Sequence, residues 1–400
     1  MEKISIGLLG FGTVGQGVAK FIQDKADLLS RYAGVEFVIK KVLVKNLNSP
    51  RQVKIADHLF TDDYSHIIND DEIDIVVEVI SEIEPAREMI VKALENGKSV
   101  VTANKGVVSK YFEEFLDLAY SNNLYFLFEA SAGGGIPVIK ALADVVKQNQ
   151  VTRVRGIMNG TCNYILSKMS QEPLDYDEVL NEAQELGYAE ADPWADVSGM
   201  DTLRKLRILS TMAFNQKIVE DDIILEGITK IRAKDIEVLK QMNKTIKLIG
   251  DSWIENNKIM ALVQPVAVNS SSYFASVADA YNSVTIHGDM VGELKFYGAG
   301  AGMLPTANAI VNDIMDIVME RQTKTRYGLG ENREVKSHDI HGDFYVRYNP
   351  RLVDLGKYRP KEISSNSGLV IVENVSFISL SNELEADSES LIVRLEGDDY

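Results

Sequence analysis

The sequence predicts an α/β protein: a doubly wound parallel sheet first, an α+β region in the middle and a small α+β tail. Three observations predict it. A glycine-punctuated strand–turn–helix opens the chain, and apolar strand-like runs then alternate with helix-like segments to about residue 135. Farther on, strand-like runs follow one another as they do in a mostly antiparallel sheet. Four hundred residues supply two to three domains' worth of chain. The expected division is 1–135 with a returning helix at 298–325, then 136–297, then 330–400.

Composition narrows the partners. A net charge of −17 repels a phosphate backbone, so neither nucleic acid nor an anionic membrane is expected as a partner. The single cysteine, Cys162, excludes an intramolecular disulfide and suits a reducing compartment. The start, Met-Glu-Lys, lacks a basic signal-peptide region, and no apolar run approaches the roughly eighteen residues that span a bilayer. A cytoplasmic location is expected.

Ile4–Leu9 reads as a short buried strand, and Gly10-Phe11-Gly12-Thr13-Val14-Gly15 follows at once. A helix is expected from Val14 to Leu29. Strand, G-x-G-x-x-G, helix is the order of a Rossmann-type dinucleotide site. The first glycine turns the chain, the second admits the pyrophosphate and the third lets helix meet strand. The phosphates would face free N–H groups at the helix start. The next strand, Glu36–Val44, ends in Lys45, with Arg51 close by, where an NAD site usually offers an acid to the ribose 2′-OH. Cations there suit a 2′-phosphate, so NADP(H) is preferred over NAD(H).

Strands at 74–80, 99–103 and 124–128 alternate with helices at 85–96 and around 111–122, a pattern that gathers ligands at the strands' carboxyl ends. Asn104, Lys105 and the Gly133–Gly135 run fall there. In the middle region a helix is expected from Pro137 to about Asn149, a strand at 152–158, and helices at 175–186 and 201–214. Further strands are expected at 252–262, 263–268, 283–289 and 292–297. A helix opens after the glycines of 298–302 and returns to the first domain.

The stretch 182–205 concentrates acids at Glu182, Glu185, Glu190, Asp192, Asp196 and Asp201, and Arg204-Lys205 follows. Asp201 and Lys205 are four apart, hence on one helix face. Alone, this is an acid-rich loop with a salt bridge. Placed after a dinucleotide fold, its acids look like a receptor for a substrate ammonium, with Lys205 a proton source beside them. The five histidines show no zinc-ligand spacing.

GFGTVG, TANK (102–105), EASAGGGIP (129–137), GIMNGTCNYIL (156–166), LGYAEADPWADVSGMDTLRK (186–205) and YGAGAG (297–302), in this order over some 320 residues, resemble homoserine dehydrogenase. The resemblance implies NAD(P)-dependent interconversion of L-homoserine and L-aspartate 4-semialdehyde, in threonine and methionine biosynthesis. It makes Lys205 the proton donor and acceptor, Asp201 a carboxylate of the homoserine site, and Lys105 the lysine between cofactor and substrate. Glu190 would take the substrate's amino group, with Asp196 beside it, and Gly187 and Gly302 would be cofactor-side backbone. Sodium held by the carbonyls of Glu129, Ala132, Gly134 and Ile136 is implied, as is a dimer, or dimer of dimers, paired through the middle-domain sheet.

Two departures stand out. Ser81-Glu82 occupies the place of the family's Gly-Gly, and Cys162 that of a hydroxyl residue. The tail has the place of an ACT domain but lacks its turn, showing Asn349-Pro350-Arg351-Leu352-Val353, so threonine feedback is not expected. Rival readings are a semialdehyde dehydrogenase, which needs an activated cysteine, and a non-catalytic NADP-binding regulator with an effector-binding tail.

Overall fold

A computed structural model describes residues 2–322, 324–328, 330, 333–364 and 368–397, with the side chain of Ser364 left aside. The chain divides into two compact units: 1–148 with 208–217 and 298–331, and 149–207 with 218–297 and 332–400.

The first unit is built on six parallel strands. In chain order come β1 (Lys3–Leu9), α1 (Thr13–Asp24), α2 (Ala26–Ala33), β2 (Glu36–Leu43), β3 (Phe60–Thr61), α3 (Ser65–Ile68), β4 (Ile75–Glu78), α4 (Ile83–Glu95), β5 (Ser99–Thr102), α5 (Lys105–Ser121), β6 (Phe126–Leu127) and α6 (Val138–Val145). The spatial order is β3-β2-β1-β4-β5-β6, every pairing parallel. The strand order reverses between β1 and β4, the switch point beyond whose carboxyl ends such sheets bind their ligands. Ile6, Leu8, Ile75, Val77 and Val101 are buried in the core beneath it.

The local chemistry corrects three expectations. The single helix expected over 14–29 is two, broken at Lys25, whose φ of −117° and ψ of 14° leave helical space. The helix expected from Tyr111 starts at Lys105, because the Asn104 side chain accepts from Val107 N, and Tyr111 is a kink inside it. The helix after Pro137 ends at Val145 rather than Asn149.

The second unit begins with β7 (Val151–Ile157), α7 (Gly160–Gln171), α8 (Tyr176–Glu185) and α9 (Trp194–Val197). In α10 (Met200–Phe214), residues to Arg207 belong to this unit and the rest to the first. Then come β8 (Ile224–Leu225), α11 (Ala233–Gln241), β9 (Lys244–Glu255), β10 (Lys258–Asn269), α12 (Tyr273–Ser276), β11 (Tyr281–Gly288) and β12 (Gly292–Ala299). The strand expected over 252–262 is instead a hairpin corner. Asn256 and Asn257 both take positive φ, 50° and 60°, as a two-residue turn between twisted strands requires. Helix α7 was also missed: Asn159 caps it by accepting from Cys162 N at 2.7 Å.

α13 (Met303–Val318) packs in the first unit. Gly17 of α1 faces it so closely that a Cβ would lie 2.6 Å from Met303 O. The tail gives β13 (Glu334–Val335), β14 (His341–Arg347), β15 (Lys361–Ser364), β16 (Leu369–Ser376), α14 (Phe377–Leu384) and β17 (Leu391–Leu395). It extends the second unit's sheet, whose order is β12-β11-β7-β9-β10-β17-β14-β16-β15. β17 pairs in parallel with β10 and antiparallel with β14. The tail's strands follow the split β-α-β-β-α-β plan, with a short 3-10 turn at Gly356–Tyr358 in place of the first helix.

Candidate active site

The glycine turn has the shape its sequence requires. A Cβ at Gly15 would lie 2.2 Å from Gly10 O, and one at Gly10, with φ of 101°, would lie 3.0 Å from Val79 O. At Gly12 nothing stands within 4 Å, so the middle glycine faces open space beside the start of α1. Gly12 caps that helix without a side-chain bond, which leaves its first N–H groups to an anion. Phe11 is buried edge-on against Phe60, and Thr13 and Val14 begin the helix. The turn fits a pyrophosphate.

At the end of β2, Lys45 is exposed and its ammonium pairs with Glu82. Arg51 is held differently. Its guanidinium lies 3.9 Å over the Phe60 ring and donates to the carbonyls of Leu47 and Asn46 at 2.8 and 2.9 Å. Of the two cations expected there, Lys45 is the one set on a carboxylate.

Lys105 sits at the first position of α5, placed by a buried relay. Glu78, fully buried at the end of β4, accepts from Thr102 Oγ1 and Ile80 N, both at 2.6 Å. Thr102 Oγ1 in turn accepts from Asn104 N at 3.0 Å, and Asn104 Nδ2 donates to Ile80 O at 2.9 Å. Burial pushes the Glu78 carboxyl up to about 7. A carboxyl raised on folding stabilises fully below its unfolded value and loses that contribution as pH rises through the folded one. The loss from Glu78 falls between pH 4.5 and 7 and amounts to roughly 3 kcal/mol. Glu78→Gln, neutral throughout, is therefore expected to melt higher than the parent at pH 8.5 and no higher at pH 4.5. Parallel melting curves across that range would refute the assignment.

In the second unit the acid-rich stretch folds onto the start of α7. Lys205 is 6% exposed and Asp201 1%. Lys205 Nζ donates to Asp201 Oδ2 at 2.8 Å and to Met158 O at 2.7 Å. Asn159 Nδ2 donates to both Asp201 Oδ2, at 2.8 Å, and Asp196 Oδ1, at 2.7 Å. Thr161 Oγ1 lies 3.3 Å from Asp196 Oδ2 and 2.7 Å from Tyr188 O, and Asn282 Nδ2 donates to Met158 O at 2.9 Å. Three of the expected residues, Lys205, Asp201 and Asp196, thus come together with a fixed ammonium. Sequence reasoning missed Asn159, Thr161 and Asn282 as its supports. The Asn-Gly-Thr after β7 carried a capping signal for the first two; nothing marked Asn282.

Glu190 is exposed on the loop before α9, its carbonyl held by Gln184 Nε2 at 3.0 Å. Gly187 turns that loop with φ of 77°, and Gly302, with φ of 123°, caps α13. Glu129 is buried and gives both carboxylate oxygens to the N–H groups of Ile139 and Lys140, each at 2.8 Å. The carbonyls of Glu129 and Ile136 each accept one backbone N–H, from Ala132 and Val138. A carbonyl has two lone pairs, so each of these two oxygens keeps one for a further partner. Among the described residues no group of three acidic, histidine or cysteine side chains could hold a metal, and no helix is long and apolar enough to cross a membrane.

Cys162 is buried with Sγ 3.1 Å from Asp196 O. Burial, with Asp196 and Asp201 near, pushes its thiol well up. A thiol so held is not the activated cysteine that acyl-enzyme chemistry needs.

Two family models match the chain: homoserine dehydrogenase, NAD binding domain, over residues 10–129, and homoserine dehydrogenase over 137–315. The Bacillus subtilis homoserine dehydrogenase is 42% identical over 318 residues, 80% of this chain and 73% of the relative. The crystal structure of a homoserine dehydrogenase from Thiobacillus denitrificans superposes with a TM-score of 0.88 at 34% identity, covering 99% of both chains. A hyperthermophilic archaeal homoserine dehydrogenase in complex with NADPH gives 0.69 at 26% identity, over 81% of this chain and all of that one. A six-stranded dinucleotide sheet, a buried lysine–aspartate pair and these likenesses lead to one conclusion: the chain belongs to the homoserine dehydrogenase family, a family of oxidoreductases.

Proposed function

We propose that the protein reduces L-aspartate 4-semialdehyde reversibly to L-homoserine with NAD(P)H, on the route to threonine and methionine. The observation that carries this is the buried Lys205 ammonium, fixed by Asp201 and Met158 O in a chain of this family. When bound, the reduced nicotinamide supplies the hydride. Lys205 Nζ gives its proton to the aldehyde oxygen as charge gathers there, and takes it back in the reverse direction. Asp201 keeps that nitrogen in place. Asp196, oriented by Asn159, and Glu190 receive the substrate's ammonium, and Lys105 polarises the reacting oxygen from the cofactor side.

The fingerprint residues Gly10–Gly15, with Gly187 and Gly302, hold the cofactor. Lys45 meets a 2′-phosphate, which favours NADP(H); the archaeal relative bound to NADPH supports this. The carbonyls of Glu129, Ala132, Gly134 and Ile136 would hold a sodium ion. Residues 1–135 with 298–325 bind the dinucleotide, 136–297 carry substrate and dimer contacts, and 330–400 form an ACT-like remnant without threonine feedback. The working form is a cytoplasmic homodimer or dimer of dimers.

One assay tests the reading: oxidation of NADPH driven by aspartate semialdehyde in phosphate-free buffer, followed at 340 nm. Steady oxidation with homoserine as product is expected. Cofactor binding without oxidation would favour a non-catalytic NADP-binding regulator.

A further inference from the structure

The end of β2 lacks the acid that accepts a ribose 2′-OH in NAD sites. The structure brings an acid to the same place from another strand. β2 and β4 flank β1 in the sheet, so the segments that follow them lie on either side of the Gly10–Gly15 turn. The segment after β4 packs on that turn directly, since a Cβ at Gly10 would lie 3.0 Å from Val79 O. Asn104 Nδ2 fixes its course by donating to the carbonyls of Ile80 and Glu82 at 2.9 and 3.4 Å. Glu82 then projects onto Lys45, its Oε1 paired with the ammonium, while Ser81 Oγ donates to its Oε2 at 3.3 Å. Arg51 is tied to Phe60 and to its own loop. Arg51 keeps its charge there but is anchored by neutral partners, so the charged pair presented at this edge is the exposed Lys45 with the half-exposed Glu82.

We propose that Glu82 is a specificity-determining residue for the cofactor's 2′ position. It supplies from β4 the carboxylate that β2 lacks, and by holding Lys45 it opposes a 2′-phosphate. A 2′-OH donates to Glu82 without disturbing the pair. A 2′-phosphate carries close to two negative charges, must take Lys45 away from Glu82, and then lies beside a carboxylate. The proposal rests on the dinucleotide reading of the glycine turn. It gives a purpose to the glutamate that replaces a glycine expected at this edge.

The test is calorimetric binding of two nucleotide fragments, adenosine 2′,5′-bisphosphate and 5′-AMP, to the whole protein and its Glu82→Gln variant at low salt. The variant is expected to bind the bisphosphate about 3- to 10-fold more tightly, the size of an exposed charge interaction, with 5′-AMP unchanged or slightly weaker. The gain should shrink at high salt, and should be smaller when Lys45→Gln is already present, because only the direct repulsion is then relieved. A bisphosphate-to-AMP ratio within twofold of the parent's overturns the role of Glu82, as does a gain that Lys45→Gln leaves undiminished. A parent with no preference for the bisphosphate, but a Glu82→Gln variant that gains one, overturns the NADP preference and leaves the role of Glu82 standing. If neither fragment binds the folded parent, the dinucleotide reading falls, and this proposal with it.

Discussion

Lys205→Ala is expected to lower turnover by about two to four orders of magnitude, the usual loss when a positioned proton-transfer group is removed. The KM for the semialdehyde should change far less, because Asp196 and Glu190 remain. The substitution has a second effect. Asp201, 1% exposed, would be left as a buried carboxylate without the ammonium that Lys205 places 2.8 Å away. Breaking one side of such a pair costs about 3–5 kcal/mol. Melting temperature should therefore fall, and Lys205→Met with Asp201→Asn, which removes both charges, should recover most of it without recovering turnover. That split separates chemistry from folding. NADPH affinity, a property of the first unit's glycine turn, is expected to stay within about threefold, since lost cofactor binding would otherwise mimic lost catalysis. Turnover of the single variant near that of the parent would remove Lys205 from proton transfer.

Gly12→Ala and Gly15→Ala are expected to fail differently. A Cβ at Gly12 meets no protein atom within 4 Å, and its φ of −76° suits alanine, so melting temperature should hold. The methyl group instead occupies the approach to the phosphates. A misfit of one methyl costs about 1–3 kcal/mol, so NADPH affinity should fall roughly 5- to 150-fold. At Gly15 the Cβ would lie 2.2 Å from Gly10 O, so the turn itself must move. That variant should lose both affinity and several degrees of melting temperature. NADPH fluorescence titration beside thermal unfolding reads both. Equal melting losses for the two variants would mean that the middle glycine serves the fold rather than a ligand.

These effects also show where the sequence was readable. The parallel sheet and its glycine turn were legible because strand, turn and helix each leave a local signal, and the observed order β3-β2-β1-β4-β5-β6 is the one that such a start implies. Asp201 and Lys205 were legible as a pair because four residues on a helix put them on one face. What failed was decided away from the residues concerned. The exception is the turn at Asn256-Asn257, whose two turn-forming residues are a local signal that the expected strand over 252–262 overran. The role of Asn282 depends on a carbonyl 124 residues earlier in the chain. Glu82 looked like a defect in a motif because its partner, Lys45, lies 37 residues away.

The chain's one cysteine has a practical consequence. Cys162 lies in the first turn of the helix that Asn159 caps, buried against Asp196 O. A thiol reagent can meet it only when that turn lifts from the lysine–aspartate group, and no second cysteine competes for the label. Labelling kinetics of the unaltered protein would thus act as a built-in stopwatch for opening at this one place. Slower labelling in the presence of homoserine would show that the ligand holds this turn down, without any engineered probe.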